Sequence, residues 1–176
     1  MNSRPMSIIE ALTFSAQVLA RFDKELAKYP DEQKQSAVIA CLSIVQQVHG
    51  HVSPESEKGV AQYLGMPVMA VHEVSTFYNM FNLTPVGRYK INVCTNLPCQ
   101  LRGGQKALHH LCETLQVEVG GTTADGLFTL QPGECMGACA DAPVLLVNDR
   151  SMCSYMSDVK LDQLIHGLRS ATKEQP

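Results

Sequence analysis

Four of the seven cysteines form two close pairs, and these pairs are the residues of this chain best placed to do chemistry. Cys94 and Cys99 make the first pair, and Cys135 and Cys139 make the second. Each pair lies in a stretch rich in Gly, Pro or Asn, which is typical of loops. Four thiolates brought together would form the donor set of a [2Fe–2S] cluster or of a tetrahedral zinc ion.

Other uses of paired cysteines match the spacing less well. Structural zinc usually has tighter Cys-x₂-Cys knuckles, although up to four intervening residues occur. A dithiol redox enzyme needs Cys-x-x-Cys beside a helix, and a Rieske centre needs two histidines, which neither cysteine loop contains. Disulfides are disfavoured because the cysteine count is odd and no secretory context is evident. The spacing favours iron–sulfur over zinc and zinc over disulfides, and it leaves all three open.

The other three cysteines have simpler interpretations. Cys41 and Cys112 lie on apolar stripes of predicted helices, where a thiol is typically a small buried hydrophobe. Cys153 follows a predicted turn and has no thiol nearby in the sequence, so it remains unassigned. His109 and His110 fall on the outer side of a predicted helix, which favours solvation over metal ligation.

Composition excludes several classes of function. The 176 residues carry a net charge of −3 with no tryptophan and 6% aromatics, so they offer neither a basic field nor a stacking surface for nucleic acid. No segment reaches the roughly 20 apolar residues of a membrane span. Glu10 interrupts the weak apolar stretch of residues 1–10, which therefore does not predict a signal peptide. Neither a nucleotide-binding glycine motif nor a catalytic triad or carboxylate pair is visible.

Residues 1–86 predict helices only. Ser15 is a candidate N-cap with Phe14 packing onto Leu19, and Pro30 should stop the helix that follows. The other signals are an apolar stripe at helical spacing, a Ser-Pro-Glu segment that can start a new helix, and glycines that can end helices. The predicted helices run from Ser15 to about Tyr29, over Val38, Cys41, Leu42 and Val45, from Ser53 to Gly65, and from Pro67 towards Phe77.

Residues 87–176 predict alternating strands and helices. The order β-α-β-β-β-α indicates a small thioredoxin-like α/β unit, in which Ala142-Pro143 is a candidate cis peptide bond. Cys94 should end the first strand, and Cys99 should lie on the loop before Gly103-Gly104, where helix N–H groups can approach a negative cluster. The predicted strands are Tyr89–Val93, Val117–Val119, Leu127–Leu130 and Val144–Val147, with helices from Gly104 and after Ser157.

Five segments together resemble the family of small [2Fe–2S] subunits in the NADH-oxidising module of respiratory complex I, which in bacteria is the E subunit of NADH:quinone oxidoreductase. The resemblance extends from about Phe14 to the last helix. It departs at Gln131–Glu134, where the family more often has an apolar approach, and at Met152–Tyr155. The five segments are Lys34–Val38, Tyr63–Pro67, His72–Phe81, Cys94–Gly104 and Glu134–Pro143.

This resemblance implies an α+β fold with an N-terminal helical bundle, residues 1–86, and a thioredoxin-like [2Fe–2S] ferredoxin domain, residues 87–176. It implies that Cys94, Cys99, Cys135 and Cys139 ligate the cluster. The partner would be the flavoprotein subunit that carries FMN, the NADH site and a [4Fe–4S] cluster, within the peripheral arm of complex I. The chain would then be an electron-transfer subunit of an oxidoreductase without catalytic residues of its own. It would be cytoplasmic and held at the membrane through the complex.

Two alternatives remain beside this hypothesis. Related subunits serve NAD-linked hydrogenases and formate dehydrogenases, and a zinc-stapled structural adaptor would be a different class of protein. The aromatic-rich segment Phe77–Phe81 could supply the surface for the flavoprotein or fill the seam between the two halves.

Overall fold

The computed structural model describes residues 14–173, so the interpretation of residues 1–10 lies outside the described part of the chain. The chain divides into two compact units, Met1–Pro85 and Val86–Pro176. Each unit contains a hydrophobic core of its own.

Within its described residues, the first unit is helical. Its helices are α1 (Ala16–Leu26), α2 (Val38–His49), α3 (Pro54–Leu64) and α4 (Val68–Phe77), and a 3₁₀ segment, Asp31–Ala37, precedes α2. Ser15 and Ser53 cap α1 and α3 by accepting main-chain N–H groups, as the sequence predicts. Gly50 and Gly65 end α2 and α3 in the left-handed conformation. The prediction that α1 reaches Tyr29 is wrong, because i→i−3 bonds from Lys28 and Tyr29 turn the chain after Leu26.

The helices of the first unit bury one apolar face each. Phe22, Leu42, Val45 and Val60 are fully enclosed in this core, and Phe81 joins them just after α4. Cys41 is also fully enclosed, so its prediction as a small buried hydrophobe is confirmed.

The second unit contains a four-stranded mixed sheet of order β2-β1-β3-β4. β1 runs parallel to β2 and antiparallel to β3, and β3 and β4 form an antiparallel hairpin. Apolar residues of the sheet pack with the buried faces of α6 and α7. The elements are β1 (Tyr89–Cys94), α5 (Leu97–Leu101), α6 (Gly104–Leu115), β2 (Phe128–Gly133), β3 (Leu145–Val147), β4 (Ser151–Cys153) and α7 (Asp158–Lys173).

One strand assigned from the sequence is wrong and one strand was missed, and the observed order is β-α-α-β-β-β-α because α5 was not predicted. Val117–Val119 is not a strand, because the N–H of Val117 bonds back to the Cys112 carbonyl of α6 and a turn follows, so that the chain meets β2 from Gly120 onwards. The strand β4 was missed because Ser151–Cys153 is short and half polar, and it exists only by pairing with β3. Ser157 precedes α7 as predicted and accepts the N–H of Lys160.

Candidate metal centre

The first cysteine pair lies at the end of β1 and on the helix α5 that follows it. Cys94 is the last residue of β1, opposite Gly133 of β2, and its N–H donates to the Val144 carbonyl at 3.1 Å. Cys99 lies on α5 rather than on the predicted loop, because Pro98 in the first turn starts a short helix there. Both cysteines are only 2% exposed, so the chain itself encloses this pair.

Two glycines bring the start of α6 against the first pair. Gly103 has φ 95°, a left-handed conformation that favours glycine. A Cβ on Gly104 would lie 2.7 Å from the Cys94 carbonyl oxygen and 2.9 Å from that of Cys99. The predicted close approach of this Gly-Gly step is therefore present, and only a residue without a side chain permits it.

The second pair lies on the loop between β2 and β3. Cys135 and Cys139 are both exposed, in contrast to the first pair. Gly137 takes φ 74° between them, and a 3₁₀ turn, Cys139–Asp141, follows. The Ala142–Pro143 peptide bond after this turn is cis, as the sequence suggested.

The four thiols form two contacting pairs, and in each pair the pKa of one member is raised by the other. Burial raises the pKa of Cys99, and a hydrogen bond with the Cys94 thiol raises it further, while a backbone hydrogen bond from Val144 acts in the opposite direction. The pKa of Cys139 is raised first by a hydrogen bond with Cys135. A metal would bind these cysteines as thiolates, so that binding releases their protons.

The donor set consists of two pairs and not of one tight group. In residues 14–173, no three His, Cys, Asp or Glu side chains lie close enough to hold one metal ion together. Cys94 contacts Cys99 and Cys135 contacts Cys139, and the charge of Cys94 also raises the pKa of Cys139. Four cysteine thiols arranged in two pairs are a donor set that fits a [2Fe–2S] cluster.

The remaining candidate ligands are placed elsewhere. Cys112 on α6 is half-buried and packs beside the second core, and Cys153 on β4 does the same. His109 pairs with Glu113, and Nε2 of His110 lies 2.8 Å from Asp162 of α7. None of these four residues belongs to the two thiol pairs.

Sequence reasoning missed a contact beside the second pair. Tyr155, between β4 and α7, donates its phenol O–H to Asp141 at 2.8 Å. It also lines a cleft of about 370 Å³ together with Arg102, Lys106 and Pro143. The two bonded residues are 14 positions apart, so no local pattern in the sequence signals their contact.

The fold agrees with comparisons against known proteins. A family model for the thioredoxin-like [2Fe-2S] ferredoxin matches residues 22–169. The chain therefore belongs to the thioredoxin-like [2Fe–2S] ferredoxin family, whose cofactor is a [2Fe–2S] cluster. The α+β fold class predicted from the sequence is confirmed.

Two relatives with known names are similar to this chain over most of its length. An NADH-quinone oxidoreductase E subunit of Rhizobium meliloti (strain 1021) is 40% identical over 147 residues, which are 84% of this chain and 86% of that protein. The second subunit of the NADH-quinone oxidoreductase of Thermus thermophilus is 36% identical over 151 residues, 86% of this chain and 83% of that protein. The predicted family resemblance is thus confirmed.

A solved structure shares the fold. The NAD⁺-reducing [NiFe]-hydrogenase in its H₂-reduced state superposes with a TM-score of 0.65 at 22% identity. The match covers 80% of this chain but only 24% of the hydrogenase chain. At this identity the likeness extends to the fold and no further.

Proposed function

We propose that this chain is the electron-transfer subunit of an NADH:quinone oxidoreductase and that Cys94, Cys99, Cys135 and Cys139 hold its [2Fe–2S] cluster. The two contacting thiol pairs, one at the end of β1 and on α5 and the other on the loop between β2 and β3, are the observation that carries the proposal. A [2Fe–2S] cluster takes two thiolates at each of its irons, whereas a structural zinc gathers four donors around one ion. Two separate pairs match the first arrangement.

When bound, the cluster accepts one electron and returns it. The chain's own residues favour the added negative charge, because α6 begins at Gly104, in close contact with the main chain of Cys94 and Cys99, and the start of a helix carries partial positive charge. The Val144 backbone also supplies a hydrogen bond to the Cys99 thiol. Since Cys94 and Cys99 are enclosed and Cys135 and Cys139 are exposed, the chain shields one side of the site and leaves the other side accessible to a partner.

The partner that we propose is the NADH-binding flavoprotein subunit, whose FMN would exchange one electron with the cluster. Exposed apolar side chains next to the site support a docking surface: Leu97 and Leu101 on α5 are 63% and 78% exposed. In the first unit, Phe77 is 79% exposed and contacts Tyr78 edge-on, whereas Phe81 is buried in the core. Phe77 and Tyr78 thus remain candidates for a contact of the first unit with the flavoprotein, and Phe81 does not.

The domain assignment and the location also belong to this proposal. Residues 1–86 would form the helical domain and residues 87–176 the cluster domain, an arrangement supported by their separate cores. The described residues include no helix with the length and apolarity needed to cross a bilayer. Attachment to the cytoplasmic face of the membrane would come through the other subunits of the complex.

The equivalent subunit of an NAD-linked hydrogenase or formate dehydrogenase would use the same chemistry. The likeness to the hydrogenase rests on fold at 22% identity, whereas the relatives at 36% and 40% identity are NADH-quinone oxidoreductase subunits. We therefore prefer the quinone-linked complex. Genes for membrane quinone-reductase subunits should be encoded nearby only in that case.

Metal analysis after anaerobic purification tests the proposal. We expect about two irons per chain and an EPR signal after reduction. Cys94→Ser and Cys135→Ser should lose most of this iron, whereas Cys112→Ala should keep it because that thiol lies outside the two pairs. One zinc per chain in colourless protein, or equal iron loss in all three variants, would contradict the ligand assignment.

A further inference from the structure

One residue of the β4–α7 connection binds the loop of the second cysteine pair at two points. The N–H of Tyr155 donates to the main-chain oxygen of Asp141 at 2.8 Å, and its phenol O–H donates to Oδ1 of the same residue at 2.8 Å. The N–H of Met156 then donates to the Pro143 carbonyl at 3.0 Å. Three hydrogen bonds therefore tie this connection to the segment that follows Cys139.

The backbone of Tyr155 is strained. Its φ is 53°, in the left-handed region that a bulky side chain rarely adopts. This conformation is less favourable than a right-handed one, because it brings Cβ close to the following carbonyl oxygen. Strain of this kind persists where the surrounding structure maintains it, and it is concentrated at functional sites.

The bonds of Tyr155 reach the turn that carries an exposed cysteine. Asp141 is the third residue of the turn Cys139–Asp141, and its N–H donates to the Ala138 carbonyl at 3.0 Å. Cys94 and Cys99 are held by burial, whereas Cys139 is exposed and gains little from packing. The position of the Cys139 thiol therefore depends on the hydrogen bonds of its loop.

The far side of Tyr155 is anchored to α7. Nζ of Lys160 lies 5.7 Å from the centre of the phenol ring and donates to the Ser154 carbonyl at 3.4 Å. The pKa of the phenol is raised, chiefly by its hydrogen bond to Asp141, so the phenol remains a donor at neutral pH. Tyr155 thus connects a long helix to the loop of the exposed pair.

We propose that Tyr155, acting through Asp141, is the positioning residue that holds the Cys139 thiolate in place for the cluster. This inference rests on the proposed function, since it presumes that Cys139 is a ligand. It predicts that removing the phenol oxygen changes the surroundings of one iron while the fold remains intact. Partners that orient metal ligands in this way affect metal retention about tenfold or more.

The test uses the full chain with its cluster and compares Tyr155→Phe with wild type. The variant keeps the ring and the main-chain N–H but lacks the O–H. We expect an altered EPR spectrum of the reduced protein and about tenfold faster iron release to a chelator, with an unchanged thermal unfolding midpoint. Asp141→Ala should reproduce the effect. Asp141→Asn should retain most of the wild-type behaviour, because its amide oxygen can still accept a hydrogen bond from the phenol O–H.

Tyr29→Phe is the matched control, since Tyr29 is an exposed tyrosine of the first unit. If Tyr155→Phe matches wild type in both readouts, or if Tyr29→Phe changes them equally, the positioning role is refuted. Should Tyr155→Phe fail to fold, Asp141→Ala decides by the same criteria. If the wild-type protein holds two irons and the variants behave like it, this inference alone is overturned. If the wild-type protein holds no iron, the proposed function is overturned as well.

Discussion

Single residues of one chemical type have different roles here because their surroundings differ. Burial raises the pKa of Cys41 to about 12, so this thiol stays protonated and inert within the first core. Cys94 and Cys99 are equally enclosed, but each has another thiol in contact and a helix start close by. Burial alone therefore does not distinguish a structural cysteine from a ligand, whereas a neighbouring thiol does.

Gly104 is the residue whose replacement should test the first ligand pair most directly. Gly104→Ala would place a methyl group 2.7 Å from the Cys94 carbonyl oxygen, so we expect lower iron content and a loss of about 1–3 kcal/mol in unfolding free energy. Iron analysis and denaturant unfolding measure the two effects.

Gly167→Ala provides the control for this change. Gly167 lies inside α7, and nothing lies within 4 Å of the position of its Cβ. The substitution should leave iron content unchanged and stabilise the chain by about 0.5–1 kcal/mol. Similar iron loss in both glycine variants would show that the close approach of Gly104 is unimportant.

At the scale of elements, α3 and α4 are joined by a buried carboxylate. Glu57 on α3 is 5% exposed and accepts a hydrogen bond from the Ser75 hydroxyl of α4. Nδ1 of His72 lies 3.0 Å and 3.1 Å from the two carboxylate oxygens. A buried carboxylate without such partners would be costly, so these contacts fix how the two helices pack.

Ser75→Ala should weaken this helix pair. Losing the hydroxyl donor to Glu57 should lower the unfolding free energy by about 1–3 kcal/mol, measured by urea denaturation followed by circular dichroism. Thr76→Ala is the control, because the exposed Thr76 hydroxyl donates only within its own helix, to the His72 and Glu73 carbonyls. Its effect should stay within about 0.5 kcal/mol. Equal losses in the two variants would mean that the carboxylate contributes nothing specific.

Helix ends were predicted more reliably than short strands, because helix capping depends on residues close in sequence and strand pairing on residues far apart. Ser15, Ser53, Gly50 and Gly65 mark helix ends correctly because capping involves residues three or four positions apart. The predicted strand Val117–Val119 failed because these residues complete the end of α6 and enter a turn before the chain meets β2. Strand β4 was missed because a three-residue strand depends on its partner more than on its own residues.

For the molecule as a whole, the exposed apolar residues near the site would contact the proposed partner. Leu101 lies on α5, the helix that carries Cys99, and is 78% exposed. If this surface meets the flavoprotein, Leu101→Lys should weaken their association about tenfold, as measured by calorimetric titration. Iron content should remain that of wild type.

Val119→Lys is the matched control for docking. Val119 is 48% exposed and lies in the turn after α6. The Val119→Lys variant should bind the flavoprotein with wild-type affinity, since Val119 lies on neither cysteine loop. Unchanged affinity in the Leu101 variant, or an equal loss in both variants, would place the docking surface elsewhere.

The sequence by itself determined the two cysteine pairs, the glycines beside them, the main helices and the family. These features depend on residue identity and short spacing, which are visible without a structure. Only the tertiary structure decided that Cys94 and Cys99 are enclosed while Cys135 and Cys139 are exposed. It also joined Tyr155 to Asp141 and Ser75 to Glu57, because these partners lie 14 and 18 positions apart and meet only after the elements have packed.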